Sequence, residues 1–541
     1  MTGMRRRRFL QAAGGVALAG ILPVVLPPRP AFAGEVADYP EFPYPATGYT
    51  EAYRGQFHFS PRAGWMNDPN GLLWYRGSYH FFFQHNPHGL AWDTMHWGHA
   101  TSPDLVHWTQ KPIALEPGVH PGDLWSGAGV VDTTNTSGLR TGDDDPIVVF
   151  TGTDGVSVCY STDGARTFQS YAAGRKLVVP GGTSRDPKVR WDADRGRWVM
   201  VVWSDAGGNG VDVHTSPDLL TWTFRSRFTA GWLFECPDFF PLAGSWVLTD
   251  ASGEYVVGTF DGTTFRSTWT APARMDQGRT DAGGTFYAGQ TFNHSPDGRV
   301  VQMVWQPGNA GSTWTGNASF PAALGLVSTP DGPRITRWPV AEIASLRADT
   351  TTIGPRTITT SAASDPFAGI TADTYEILAT FDLTGATAAR FGFQLHRRTD
   401  GTYDRSVVYD RAAQTLDGAA LAPIGGRVSV RLLVDRGQLE IFGNDGRLSK
   451  TDTVRFDSSA GSLGIRLYAE GGSVALVSAE FHRLRSAWGV GEPTLDSTLA
   501  GPWHAAGGTW DDVTGGKRGT AGGDGFYLGA TTAGDFIYEG D

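Results

Sequence analysis

The sequence predicts an all-β protein, a five-bladed β-propeller followed by a C-terminal β-sandwich, and three observations predict it. Short runs rich in β-branched and aromatic residues, such as Ile147 to Phe150, Trp198 to Trp203, Trp246 to Thr249, Tyr255 to Phe260 and Val300 to Trp305, are bounded by Gly, Asp or Pro. That is the pattern of strands closed by turns. Nothing before residue 340 shows the apolar period of a long amphipathic helix. Finally, a phrase recurs behind the strand-like runs: Thr101-Ser102-Pro103-Asp104-Leu105 with Trp108 is answered by Thr215-Ser216-Pro217-Asp218-Leu219 with Trp222. Related forms stand at Ser161-Thr162-Asp163-Gly164, Asp261-Gly262 and Asp331-Gly332. Asp104, Asp163, Asp218 and Asp261 lie 59, 55 and 43 residues apart, a period long enough for several short strands, as in propeller blades. A sandwich or barrel also predicts regularly spaced short strands, but not the shared phrase.

The elements follow in order. A chain of 541 residues exceeds the roughly 250–300 that a single core sustains, so at least two domains are expected. Residues 1–33 read as a signal peptide: Arg5 to Arg8, an apolar run ending at Leu26, then the small-x-small site Ala31-Phe32-Ala33. The run Arg6-Arg7-Arg8-Phe9-Leu10 resembles a twin-arginine signal, which predicts export of the folded protein. Pro23, Pro27 and Pro28 interrupt the apolar run, which is short for a membrane span. After cleavage, no membrane association is expected. Residues 45–345 form the predicted propeller. At 355–486 the Trp-rich phrases give way to longer alternating strands, among them Tyr375 to Leu383, Arg427 to Val434 and Ser473 to Phe481, which predict the antiparallel sandwich. Residues 495–541 hold too few strands to bury a core of their own.

Composition narrows the function. The net charge of −11 and the 44 basic against 55 acidic residues argue against a phosphate-backbone partner, so no nucleic acid is expected and a neutral substrate fits better. Cys159 and Cys236 allow one disulfide at most, which excludes a disulfide scaffold. The histidines His85, His88, His96 and His99 match no zinc-ligand spacing, so neither metal nor other cofactor is expected. The protein is expected to be a monomer.

Three acidic residues keep unusual company. Asp68 sits in Gly64-Trp65-Met66-Asn67-Asp68-Pro69-Asn70-Gly71, where the amides and proline predict a tight turn. Asp186 lies in Arg185-Asp186-Pro187, and Glu235 in Phe234-Glu235-Cys236-Pro237, an apolar-aromatic setting suited to raising a carboxyl pKa. Each alone reads equally well as a structural residue: a turn aspartate, a salt-bridged aspartate, an edge-strand charge. Hydrolysis of a glycosidic bond, however, takes two carboxyl groups, one near the anomeric carbon and one protonated near the leaving oxygen.

Taken together, the three segments resemble the signature blocks of glycoside hydrolase family 32, the invertase, levanase and exo-inulinase family. His96 to Ala100, Trp125-Ser126-Gly127, Phe286-Tyr287-Ala288 and the run from Val434 to Gly446 also match, so the resemblance spans roughly residues 50–486. It implies an active site at the mouth of the propeller channel, with Asp68 as nucleophile, Glu235 as acid and base, and Asp186 holding fructosyl hydroxyls. Arg185 is expected to keep the carboxylates ionised. Asn67, Gln84, Trp92, Trp125, Ser126 and Trp305 match positions that line the family's fructosyl subsite. For Cys236 no nucleophilic role is implied. Two positions depart from the pattern, Ala128 where the family usually has Ser and Thr285 where it often has Asp, and both bear on substrate preference. Residues from about 505 resemble the start of the fructan-binding module of bacterial levanases.

The resemblance thus implies a secreted, retaining fructosidase that releases fructose from levan or inulin, with sucrose as a further substrate. Alternatives within the family are an invertase, an endo-levanase or a fructosyltransferase. A non-catalytic carbohydrate-binding propeller is the alternative of another class.

Overall fold

The short β-branched and aromatic runs form strands that pair with their sequence neighbours. The computed structural model describes residues 48–278, 285–311, 313–330 and 332–488, together with four short strand segments between 504 and 540. The leader expected at 1–33 lies outside the described residues. So does most of 495–541, where His504–Ala505 pairs with Gly508–Thr509, and Phe526–Ala530 with Phe536–Gly540.

The first part is a succession of antiparallel meanders. β1 (Gly64–Tyr75), β2 (Ser78–Asn86), β3 (His96–Ser102) and β4 (Thr109–Leu115) pair in sequence order. β5 (Ala128–Val131), β6 (Ile147–Thr151), β7 (Ser157–Ser161) and β8 (Gln169–Ser170) form a second sheet, and β9 (Ser184–Asp192), β10 (Arg197–Ser204), β11 (Gly210–Ser216) and β12 (Thr223–Thr229) a third. The fourth holds β13 (Asp238–Leu242), β14 (Ser245–Thr249), β15 (Glu254–Phe260) and β16 (Phe265–Arg266), with β17 (Ala273–Arg274) on β15. β18 (Tyr287–Thr291), β19 (Val301–Ala310), β21 (Ala322–Thr329) and β22 (Gly332–Pro339) complete the round. The leading strands touch in the cyclic order β1, β5, β9, β13, β18 and back to β1, which makes a propeller around a central channel.

The sheets do not fall into separate, equal blades. β20 (Trp314–Ala318) pairs with β19 and also runs parallel to β1 at Gly64 and Trp65, so the last meander fuses with the first into one nine-stranded sheet. That fusion closes the ring.

The recurring phrase is the turn between the third and fourth strands of successive meanders. Asp218 Oδ1 accepts hydrogen bonds from the Leu220 and Thr221 N–H groups (2.9 and 2.6 Å) and from Ser216 Oγ (3.0 Å). Asp104 Oδ1 does the same with Val106 and His107 (3.0 and 2.9 Å), and Asp261 Oδ1 with Thr263 and Thr264 (2.9 and 2.8 Å). The turn forces Leu105 and Leu219 to φ of 67° and 66°. Left-handed backbone costs a branched residue about 1–2 kcal/mol, whereas full burial of a leucine side chain contributes about 2 kcal/mol. Both leucines are fully buried, so the turn holds.

The second part is a sandwich. One sheet runs β23 (Arg347–Ile353), β34 (Val474–Leu484), β25 (Tyr375–Asp382), β30 (Arg427–Val434), β31 (Gln438–Gly443) and β32 (Leu448–Thr453), with β24 (Arg356–Ile358) on β34. The other contains β26 (Arg390–Arg397), β27 (Tyr403–Asp410), β28 (Thr415–Leu416), β29 (Ala419–Ala420) and β33 (Gly464–Glu470). Phe381, Phe391, Phe393 and Ile441 fill the space between them. A charged clamp joins the sandwich to the propeller. Asp435 accepts hydrogen bonds from the Gln56 and Phe57 N–H groups (2.8 and 3.0 Å) and from His58 Nδ1 (3.0 Å), and Glu440 lies 3.3 Å from His58 Nε2. Burial pulls the His58 pKa down, but the two carboxylates outweigh it and leave it raised to about 9.

Candidate active site

The segment from Gly64 to Gly71, expected as a tight turn, lies within the twelve-residue strand β1. Its Asn, Asp, Pro and Gly residues instead break the register against β2 twice, between Met66 and Pro69 and between Asn70 and Leu73. Pro69 donates no ladder hydrogen bond, and the extra residues of a bulge re-aim side chains. β1 is the leading strand at the channel, so these irregularities present Asp68 there.

Asp186 near the start of β9 and Glu235 just before β13 come to the same place. Asp68 Oδ2 accepts a hydrogen bond from Ser126 Oγ (2.7 Å) and lies 3.4 Å from Cys236 Sγ. Asp186 Oδ2 accepts from the Cys236 N–H (3.0 Å), and the same thiol lies 3.5 Å away. Glu235 Oε2 takes Arg185 Nε and Nη2 (3.0 and 2.7 Å), while its Oε1 accepts from the Tyr287 hydroxyl (2.5 Å). Ser126, Asp186, Cys236, Pro69 and Gln290 line one pocket.

Three members of this cluster hold left-handed backbone: Asp186 at φ 60°, and Glu235 and Cys236 at 41° each. Such conformations cost about 1–3 kcal/mol apiece and concentrate at functional sites. Their restraint comes from behind. Gln290 Nε2 bonds the Cys236 and Pro237 carbonyls (3.2 and 3.3 Å), and buried Lys188 joins Gln290 Oε1 (3.2 Å), the Thr291 carbonyl (2.7 Å) and Asp238 (3.0 Å).

Crowded burial shifts the titrations. Burial raises the Asp68 pKa to about 6; the Ser126 hydrogen bond pulls it down, and the charge of Glu235 pushes it up. Asp186 is likewise raised, by burial first and Glu235 second, against the pull of Arg185. Arg185, expected to keep the carboxylates ionised, pairs with Glu235 at 2.7 Å and lies 3.6 Å from Asp186, whose pKa its charge pulls down. The Cys236 thiol is raised well above its usual range by burial and the surrounding carboxylates, so it stays protonated and acts as a donor.

The remaining residues ring this centre. The Arg185 guanidinium sits over Trp203 (4.3 Å) with Phe234 and Trp125 at 5.7 and 5.9 Å. Trp125 meets Trp92 edge-to-face at 5.8 Å, and Trp92 is 53 % exposed at the rim. Trp305 packs edge-on against Trp65 and Tyr287 (5.7 and 6.1 Å), and its buried Nε1 has no hydrogen-bond partner among the described residues. Asn67 Oδ1 is held by Trp65 Nε1 (2.8 Å), and Gln84 Nε2 by the Leu124 carbonyl (3.0 Å). Sequence reasoning gave no role to Tyr287, to the Cys236 thiol as a donor, or to Lys188 and Gln290. The aromatic hydroxyl in Phe286-Tyr287-Ala288, a block already matched by resemblance, was the available signal for the first.

A propeller whose channel mouth gathers two buried aspartates and a partly exposed glutamate amid indole rings is the architecture of a glycoside hydrolase. The chain belongs to glycoside hydrolase family 32: residues 58–339 match the Glycosyl hydrolases family 32 N-terminal domain, and residues 342–483 match the Glycosyl hydrolases family 32 C terminal domain. It is 37% identical to a levanase of Bacillus subtilis (strain 168) over 94% of this chain and 80% of that protein. It is 30% identical to the extracellular exo-inulinase inuE of Aspergillus niger over 82% of this chain and 96% of the relative. The crystal structure of exo-inulinase from Aspergillus awamori superposes with a TM-score of 0.72 at 27% identity, covering 82% of this chain and all (100%) of that one.

Proposed function

We propose that the chain is a secreted, exo-acting fructosidase that releases fructose from levan- or inulin-type fructans, and from sucrose, with retention at C2. The observation that carries this reading is the convergence of Asp68, Asp186 and Glu235 into one cluster joined by Ser126, Cys236 and Arg185. The levanase and exo-inulinase relatives support the substrate class.

Asp68 attacks C2 as the C2–O bond to the leaving group breaks, and Glu235 gives its proton to the departing oxygen. The product of this step is a fructosyl ester on Asp68. Glu235, now a carboxylate, takes a proton from water, whose oxygen attacks C2 and expels Asp68 with the original configuration restored. Asp186 holds fructosyl hydroxyls, and its raised pKa lets it donate as well as accept. Asn67, Gln84 and Ser126 supply further polar contacts, Trp92, Trp125 and Trp305 the apolar walls, and the unpartnered Trp305 Nε1 a donor for a sugar hydroxyl.

Chromatography of products over time on levan, inulin and sucrose tests the reading. Fructose as the sole early product is expected; early oligosaccharides would replace exo by endo action, and products longer than the substrate would indicate transfer. Export by the twin-arginine route is tested by changing Arg6 and Arg7 to Lys, which should retain the precursor inside the cell. Unchanged export would remove that route.

A further inference from the structure

We propose that the C-terminal sandwich positions the catalytic proton donor: through Thr451 and the cluster Asp276–Arg337–Ser449 it holds the segment Thr285-Phe286-Tyr287, which supports Glu235. The inference rests on Glu235 being that donor.

Each residue of the segment has its own tie. Thr451 Oγ1, on sandwich strand β32, donates to the Thr285 carbonyl at 2.6 Å. The Phe286 ring, fully buried, lies under the Arg337 guanidinium at 5.1 Å. Tyr287 donates to Glu235 Oε1 at 2.5 Å. Thr285, Phe286 and Tyr287 therefore form one short rod, anchored at one end by the sandwich and in contact with the acid at the other.

The anchor is a buried polar cluster whose members are paired except at Arg337 Nη2, which has no hydrogen-bond partner among the described residues. Asp276 Oδ2 accepts from Arg337 Nη1 (2.9 Å) and Ser449 Oγ (2.6 Å), and Asp276 Oδ1 from the Thr451 N–H (3.0 Å) and the Gly278 N–H (2.8 Å). Arg337 Nη1 also reaches Ser449 Oγ (2.7 Å), and the Gln277 N–H donates to the Ser449 carbonyl (2.8 Å). Asp276, Arg337, Ser449 and Thr451 are all nearly inaccessible to solvent. In such a site each bond is strong and each missing partner costly, so the rod is held rigidly. The propeller side is as tight: a side chain on Gly253 would meet Phe286 Cε1 at 2.5 Å, and the Ala288 N–H donates to the Ala251 carbonyl (2.7 Å), whose own N–H donates to the Glu235 carbonyl (3.1 Å).

Tyr287 orients Glu235 from one side while Arg185 holds the other oxygen, so a shift of Tyr287 misplaces the proton relative to the leaving oxygen. Misplacement by about 1 Å costs on the order of 10²-fold in rate. Thr451 is thus a positioning residue, acting through Tyr287.

The test compares Thr451→Val with Thr451→Ser in the full-length chain, on sucrose and on an aryl β-fructofuranoside whose phenolate leaves without full protonation. Thr451→Val should lower kcat on sucrose about tenfold with KM within twofold, lower it less than threefold on the aryl substrate, and leave Thr451→Ser near wild type. Ser449→Ala, a milder loss in the same cluster, should show the same pattern more weakly and keeps the test alive if Thr451→Val fails to fold. Equal losses on both substrates, or unchanged kcat in all variants, would overturn the coupling. Glu235→Gln is the reference and should show the strongest leaving-group dependence. If it shows none, the assignment of Glu235 itself fails, independently of the sandwich.

Discussion

The outer turns of the propeller and the mouth of its channel are built with the same residue, aspartate, and treat it in opposite ways. At the turns, partial burial pushes the Asp104 carboxyl up, but His107 and the backbone N–H groups outweigh it and hold it at about 2. Asp218 is lowered as well, because the Thr221 and Leu220 N–H groups and Ser216 outweigh its desolvation. At the mouth, Asp68 and Asp186 are buried and face further carboxylates, which together outweigh the hydrogen bonds they receive, and both are raised. Burial alone does not decide the outcome: Asp435, fully buried in the domain clamp, is lowered because His58 and backbone N–H groups outweigh its desolvation. At these positions the balance of desolvation against hydrogen bonds and neighbouring charge sets the direction of the shift.

Exchanging the two kinds of aspartate breaks the comparison most sharply. Asp68→Asn should cut kcat on sucrose and fructan by roughly 10⁶-fold, as removal of a nucleophile does. Its thermal midpoint should hold or rise, because the fold disfavours the ionised carboxyl that Asn replaces. Asp218→Ala should do the reverse, lowering stability by about 1–2 kcal/mol through lost turn hydrogen bonds while kcat/KM stays within twofold. Calorimetry and initial rates on the same preparations check both. A turn variant that loses activity with its midpoint intact would contradict the division.

Much of this was legible in the chain, and the boundary has a physical reason. The turn phrase could be read because Asp218 bonds residues two and three positions away, so its geometry is written locally. The strands were visible for the same reason, and Asp68, Asp186 and Glu235 were found by resemblance to blocks of known order. The tight turn at Asp68 was misread because a proline and two amides mark a bulge as readily as a loop. Contacts that make the site work join distant segments: Tyr287 to Glu235 across 52 residues, Cys236 to Asp68 across 168, and His58 to Asp435 across 377. Which side chains meet there follows from how successive meanders stack around the channel, which no local pattern records. That Arg185 sits closer to Glu235 (2.7 Å) than to its sequence neighbour Asp186 (3.6 Å) was not legible for that reason.

A smaller change tests the comparison from within the site by altering only the donors around Asp68. Its carboxyl, raised to about 6, must be ionised to attack C2, so activity falls as pH drops through that value and an acid limb appears there. Ser126 is the strongest influence holding the pKa down, through its 2.7 Å hydrogen bond. Ser126→Ala removes that preference for the charged form, so the acid limb of kcat should move to higher pH. A hydrogen bond to a charged group contributes about 1.5 kcal/mol, which corresponds to a shift of roughly one pH unit. The shift must be read in kcat, which reports the substrate complex, because Ser126 also contacts substrate in the proposed function and its loss will raise KM. A limb that stays in place while the plateau falls would assign it to Asp186, the other raised carboxyl, and would mean that ionisation of the nucleophile does not limit the enzyme at low pH.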